Sequence, residues 1–184
     1  MLKEGGEFYF SDVYCDRRLS EEIRSHEVLV GECLGGALYT EDFRRICQSV
    51  GFSDPRILAV NELNVQDPAL MKILGNAKFY SITYRLFKHK EMEDKCEDFG
   101  QVAVYKGTVS EHPDFYDLDD HHRFITGKPM LVCGNTANMV GGTWLGPHFD
   151  VMGDTKTHYG LFDCNPIAPT PVADSSPSVG GACC

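Results

Sequence analysis

The chain has 184 residues, 42% of them hydrophobic and 24% charged, with a formal net charge of -10. So acidic a chain is not expected to neutralise a run of phosphates, and it contains no apolar stretch near the roughly 20 residues of a membrane span. Nucleic acid and bilayer are therefore not expected partners, and the length suits one full domain or two small ones. The opening residues, Met1 to Gly6, carry two charges and two glycines and do not read as a secretory signal. The chain is expected to be cytoplasmic, with its thiols reduced. Eight cysteines then become informative: Cys15, Cys33, Cys47, Cys96, Cys133, Cys164, Cys183 and Cys184. None forms a CxxC pair, so any thiol site must be assembled from distant positions.

In chain order, Leu2 to Gly6 reads as a helix end and a Gly-Gly turn, and Glu7 to Tyr14 (EFYFSDVY) as a strand. A strand this apolar calls for neighbours on both sides, so a preceding part of its sheet is expected. Ser20 before Glu21 and Glu22 is a helix N-cap. Val28 to Tyr39 (VLVGECLGGALY) is apolar but interrupted by Gly31, Gly35 and Gly36, which predicts a tight irregular backbone beside a site. Thr40 is expected to cap a helix whose face Phe43, Ile46, Cys47 and Val50 makes Cys47 a core residue, with Gly51 ending it. Arg56 to Val65 is a strand, Pro68 to Leu74 a short helix, and Phe79 to Lys88 a strand.

Residues 89–98 (HKEMEDKCED) are charged and read as a linker or exposed loop. Beyond them Gln101 to Val109, Phe124 to Val132, Gly141 to Phe149 and His158 to Leu161 read as short strands between turns. From Asn165 onward Pro, Ser, Ala and Gly dominate, predicting a flexible tail that ends in Cys183-Cys184. The expected organisation is an α/β portion over 1–90, a linker over 91–98, a small β-rich domain over 99–164 and a tail over 165–184.

Three stretches carry a family resemblance: EGGEFYFSDVY at 4–14, GECLGGALY at 31–39 and RLFKHK at 85–90. Together they resemble arsenite methyltransferases of the animal and algal kind, as does the Cys-Cys ending after glycines. The resemblance is closest over about residues 4 to 90, and GECLGGALY is its specific element. It implies the C-terminal half of a Rossmann-like class I methyltransferase sheet, followed by a small β-rich (α+β) domain. It also implies methyl transfer from S-adenosylmethionine to thiol-bound trivalent arsenic, with Cys33 as an arsenic-binding and catalytic cysteine. Arsenite or its thiol conjugates would be the substrate, and a thiol reductant such as glutathione or thioredoxin would reset the thiols. The resemblance places the cofactor-binding half upstream, and no strand here leads into GxGxxG, so no donor-binding residue is assigned to this chain. A monomer is expected, inactive by itself.

The chemistry suits these residues. Trivalent arsenic is soft and selects thiolate over carboxylate or imidazole. Its lone pair is the nucleophile, so the protein need only position it and exclude water. Read without the resemblance, Cys33 is equally a buried cysteine of an apolar loop. Cys96, Cys183 and Cys184 are further candidate arsenic ligands; the last two also fit a solvated tail. His121, His122, Cys133, His148 and Cys164 match no closed zinc spacing and are read as scattered. Asp117, Asp119, Asp120 and Asp150 lack calcium-loop spacing. Two alternatives stand beside the enzyme reading: a free-standing thiol module that sequesters metalloids or metals, and a truncated product without independent stability.

Overall fold

The computed structural model describes residues 2–164. Aromatic and β-branched residues make Glu7–Cys15 strand β1. Two short helices follow, α1 (Glu21–Ser25) and α2 (Glu27–Gly31). Ser20 caps α1 by accepting from the Ile23 N–H. The stretch expected to be irregular is partly regular: its first residues complete α2, and Leu38–Tyr39 form β2 alongside the end of β1. Helix α3 (Thr40–Ser49) takes Tyr39 as its cap, without a side-chain bond, while Thr40 is already helical. Strand β3 (Arg56–Leu63) leads to α4 (Pro68–Leu74), which Asp67 caps by accepting from the Ala69 and Leu70 N–H groups. Strand β4 (Phe79–Phe87) completes a four-stranded sheet of order β2-β1-β4-β3.

Within it β1 and β4 run antiparallel from Glu7 opposite Phe87 to Cys15 opposite Phe79. On its other edge β1 meets β2 only at Tyr14 and Cys15. The rest of that edge has no strand partner among the described residues, and Phe8 and Tyr9 remain 51% and 55% exposed. Helix α3 covers one face of the sheet, where Phe43 lies against Tyr14 and Tyr84 with ring centres 5.0 and 4.5 Å away. Cys47 is buried in that cluster, as its helical spacing predicts. A second cluster gathers Cys15, Ile23, Leu29, Leu34, Leu74 and Phe79 under the short helices.

The second half is built from short strands: β5 (Glu97–Asp98), β6 (Gln101–Tyr105), β7 (Phe115–Asp117), β8 (Arg123–Ile125), β9 (Pro129–Val132), β10 (Phe149–Met152) and β11 (Gly160–Leu161). Strand β6 lies between β10 and β9, while β5 pairs with β11 and β7 with β8. The long strand expected over 124–132 is two strands separated by a turn at Gly127. The strand expected over 141–149 is corrected. Helix α5 (Gly134–Gly142) ends there, and a single 3-10 turn, Gly146–His148, leads into β10. This helix is buried on nearly all sides, so it lacks the polar face that reveals a helix in sequence. Its Ala137, Met139 and Val140 join Phe87, Tyr105, Leu118, Phe124 and Phe149 in one core.

Two buried arginines tie the halves together. Arg56 on β3 and Arg85 on β4 stand opposite each other in the strand register. Like charges so placed repel unless each is paired. Arg85 binds Glu7 at 2.6 Å and donates to Tyr116 Oη and to the carbonyls of Asp117 and Leu118. Arg56 binds Asp54 at 2.7 Å and Asp119 at 2.9 Å.

Candidate functional site

Glycine-rich residues 31–36 form a tight turn after α2. Leu29 and Leu34 are buried on either side of it and Cys33 is exposed between them. Cys33 has a φ of 62°, a left-handed backbone uncommon for a side-chain-bearing residue. Among its glycines, Gly35 is the one that packing demands, because a Cβ there would lie 2.9 Å from Val30 Cγ2 and 3.2 Å from the Ile23 carbonyl oxygen. The turn thus presents the sulfur outward on a backbone fixed by its buried neighbours.

A second thiol constellation comes from residues far apart in sequence. The sulfurs of Cys96, Cys133 and Cys164 all lie within 4.8 Å of one another. Cys133 is buried and is the N-cap of α5, where its sulfur accepts from the Thr136 N–H at 3.4 Å and meets the Thr136 hydroxyl at 3.2 Å. Cys96 and Cys164 are half-buried and flank the β5–β11 ladder, and Phe162 donates its N–H to the Cys96 carbonyl at 2.7 Å. Asn135 fixes the approach to Cys96: its amide nitrogen donates to the carbonyls of Glu93 and Lys95, and its oxygen accepts from the Glu93 N–H. Gly134 beside it packs closely, since a Cβ would lie 3.0 Å from the Phe99 ring.

The electrostatics of the three sulfurs are uneven. Hydrogen bonding from Cys96 pulls the Cys133 thiol far down, and the Arg56 guanidinium, 3.8 Å from its sulfur, adds to this, as does Thr136. Cys96 is pushed up as the donor to Cys133 and by burial, and burial pushes Cys164 up to about 11. The cluster therefore holds one thiolate at Cys133, supported by a helix N-terminus and an arginine, with two thiols beside it.

Behind Arg56 lies a second polar group. The Asp119 carboxylate accepts from the His122 N–H at 2.7 Å and contacts His122 Nδ1 at 2.9 Å, and it pairs with Arg56. Burial alone would raise its pKa, but His122 and Arg56 hold it well below the usual carboxylate range. Asp119 and His121 border an open pocket that Glu7, Tyr9, Arg85 and Trp144 also line, and His122 is grouped with them but is not part of the lining.

The structure corrects the reading of Cys133, Cys164, His121 and His122 as scattered, because each belongs to a compact group. Cys96 is drawn into the thiol cluster, whereas Cys33 lies outside it. His148 instead meets the Thr108 hydroxyl. Asp117 pairs with Arg123 and Asp150 with Lys106. Cys183 and Cys184 lie outside the described residues. Sequence reasoning missed Arg56, Asn135 and Thr136. The segment Cys133-Gly134-Asn135-Thr136 after a strand is the one local signal for Asn135 and Thr136, a cap at the start of a helix, and nothing local signals Arg56.

The architecture is mixed α/β, a four-stranded sheet with its helices joined to a β-rich region. A crystal structure of an arsenic(III) S-adenosylmethionine methyltransferase from Chlamydomonas reinhardtii matches it with a TM-score of 0.83 and 60% identity, over 87% of this chain and 54% of that one. The sequence matches arsenite methyltransferases: that of Aquipseudomonas alcaligenes is 50% identical over 89% of this chain and 47% of its own, and that of Homo sapiens 40% identical over 74% and 36%. The chain thus spans about half the length, or less, of the curated relatives it matches. No family model matches it. Among the described residues, no helix is long and apolar enough to cross a membrane.

Proposed function

We propose that this chain supplies arsenic-holding thiols to a cytoplasmic enzyme that methylates trivalent arsenic, with Cys33 as an arsenic ligand. The observation that carries the reading is 50% and 60% identity to arsenic methyltransferases across nearly the whole chain. The exposure of Cys33 supports it, because a thiolate must reach its substrate to hold it.

In this reading S-adenosylmethionine supplies an electrophilic methyl group on a sulfonium. The glycines around Cys33 do not form a cradle for it. Packing against Val30 and Ile23 accounts for Gly35, and the turn follows a helix where a dinucleotide-type cradle follows a strand. What Cys33 does is replace an oxygen on arsenite, forming an As–S bond as its proton leaves with the departing hydroxide as water. The left-handed backbone sets the direction in which that sulfur presents arsenic. A thiol reductant, glutathione or thioredoxin, would return the cysteines to the reduced state.

The test is a chimera in which this chain replaces the matching segment of the Chlamydomonas enzyme. It should methylate arsenite from S-adenosylmethionine, and Cys33→Ser should lower the rate by about 100-fold or more, the scale on which misplacing a reactant is felt. Undiminished methylation by the Cys33→Ser chimera would overturn the assignment.

A further inference from the structure

Cys96, Cys133 and Cys164 are a built site that methylation at Cys33 does not use. We propose that these three cysteines bind one trivalent arsenic as a pyramidal trithiolate, separately from Cys33. The choice of arsenic rests on the methyltransferase reading; the existence of a three-sulfur site rests on the geometry alone.

Three features select the ligand. First, the donor set is all sulfur, which favours soft thiophilic centres over hard oxygen-seeking cations. Secondly, the sulfurs already lie within 4.8 Å of one another. A centre with metal–sulfur bonds of about 2.3 Å would draw them to within about 4 Å, a small closure for two half-buried residues. Thirdly, the group has three ligating residues. A zinc trithiolate would need a fourth ligand, and no fourth His, Cys, Asp or Glu is grouped with these three among the described residues, whereas trivalent arsenic is complete with three.

Binding balances without any oxidant. Arsenous acid, As(OH)3, meets the Cys133 thiolate and the Cys96 and Cys164 thiols. Three As–S bonds form and three As–O bonds break. The two thiol protons and one proton from solvent leave with the three hydroxides as water. Half-buried Cys96 and Cys164 give the entry to buried Cys133.

The test uses the 184-residue chain carrying Cys183→Ser and Cys184→Ser, so that the terminal pair cannot supply a sulfur. With one equivalent of arsenite, arsenic X-ray absorption should show three sulfur neighbours. Cys164→Ser and Cys133→Ser should each reduce that count and weaken binding beyond the roughly 10- to 100-fold cost of an outer-shell change. Circular dichroism identifies any variant that does not fold, and the sulfur count on the parent chain stands without it. Two or fewer sulfurs in the parent, or binding unchanged in folded Cys164→Ser, overturns the trithiolate. Absence of any arsenite binding to the chain would instead count against the methyltransferase reading as well.

Discussion

Cys15, Cys47 and Cys133 sit in equally dry places, yet they differ in charge. Burial pushes Cys15 up and Cys47 up to about 11, so both remain neutral packing groups. Cys133 is pulled down to about 4 by the Cys96 hydrogen bond, against its burial, with help from Arg56. The difference lies in what each sulfur accepts, and helical spacing identifies Cys47 in sequence while nothing local identifies the partners of Cys133. A pH effect follows. Below the ordinary thiol pKa, the unfolded chain keeps a proton on all three cluster sulfurs, but the folded chain keeps only those on Cys96 and Cys164. Stability should therefore rise with pH from this source until the ordinary thiol range is reached. Above the ordinary thiol value it should fall, because the unfolded chain then loses all three protons while Cys96 and Cys164 hold theirs. Urea unfolding of the metal-free chain and of Cys133→Ala below the ordinary thiol range should show a gap between them that widens with pH; parallel curves would mean that Cys133 is not ionised.

Helix α5 sets the geometry of the thiol cluster. Its first turn supplies the cap sulfur, the Thr136 donor and the Asn135 clamp on the loop that delivers Cys96. In sequence most of it reads as a turn between strands, and only Gly141 and Gly142 fall in an expected strand, because it lacks a polar face, whereas α3 and α4, half-exposed and followed by glycines, are legible. Strands β1, β3 and β4 were legible for the same reason: aromatic and β-branched residues bounded by turns. Asn135→Ala removes the bonds to Glu93 and Lys95 and should cost about 2–3 kcal/mol, at roughly 1 kcal/mol per net hydrogen bond. It should also speed alkylation of Cys96, read by peptide mapping, while the rate at Cys33 stays the same. Equal protection of Cys96 in the variant would remove Asn135 from the account.

At the scale of the molecule, the sheet and the β-rich half are joined through Arg56 and Arg85, adjacent on β3 and β4 and both buried. No sequence pattern reveals this, because each arginine stands in a strand where a lone charge reads as solvent-facing. Arg85→Met takes the donor from the carbonyls of Asp117 and Leu118 and leaves Glu7 without its cation, with the Trp144 Nε1–H still donating to it. Removing one partner of a buried pair costs about 3–5 kcal/mol. The wild-type chain should unfold in one transition, and Arg85→Met should unfold earlier with a shallower dependence on urea, as the halves lose cooperativity. An unchanged midpoint and slope would show that the arginine does not couple them.

The proposed role of the thiols depends most on the affinity of this chain for trivalent arsenic. Arsenite titrated into the reduced chain, followed by the ultraviolet absorbance of As–S bonds, tests it directly. Saturable binding that disappears once the thiols are blocked by alkylation is the predicted result. A chain that shows no As–S absorbance at any arsenite concentration, or the same signal after alkylation, would contradict it.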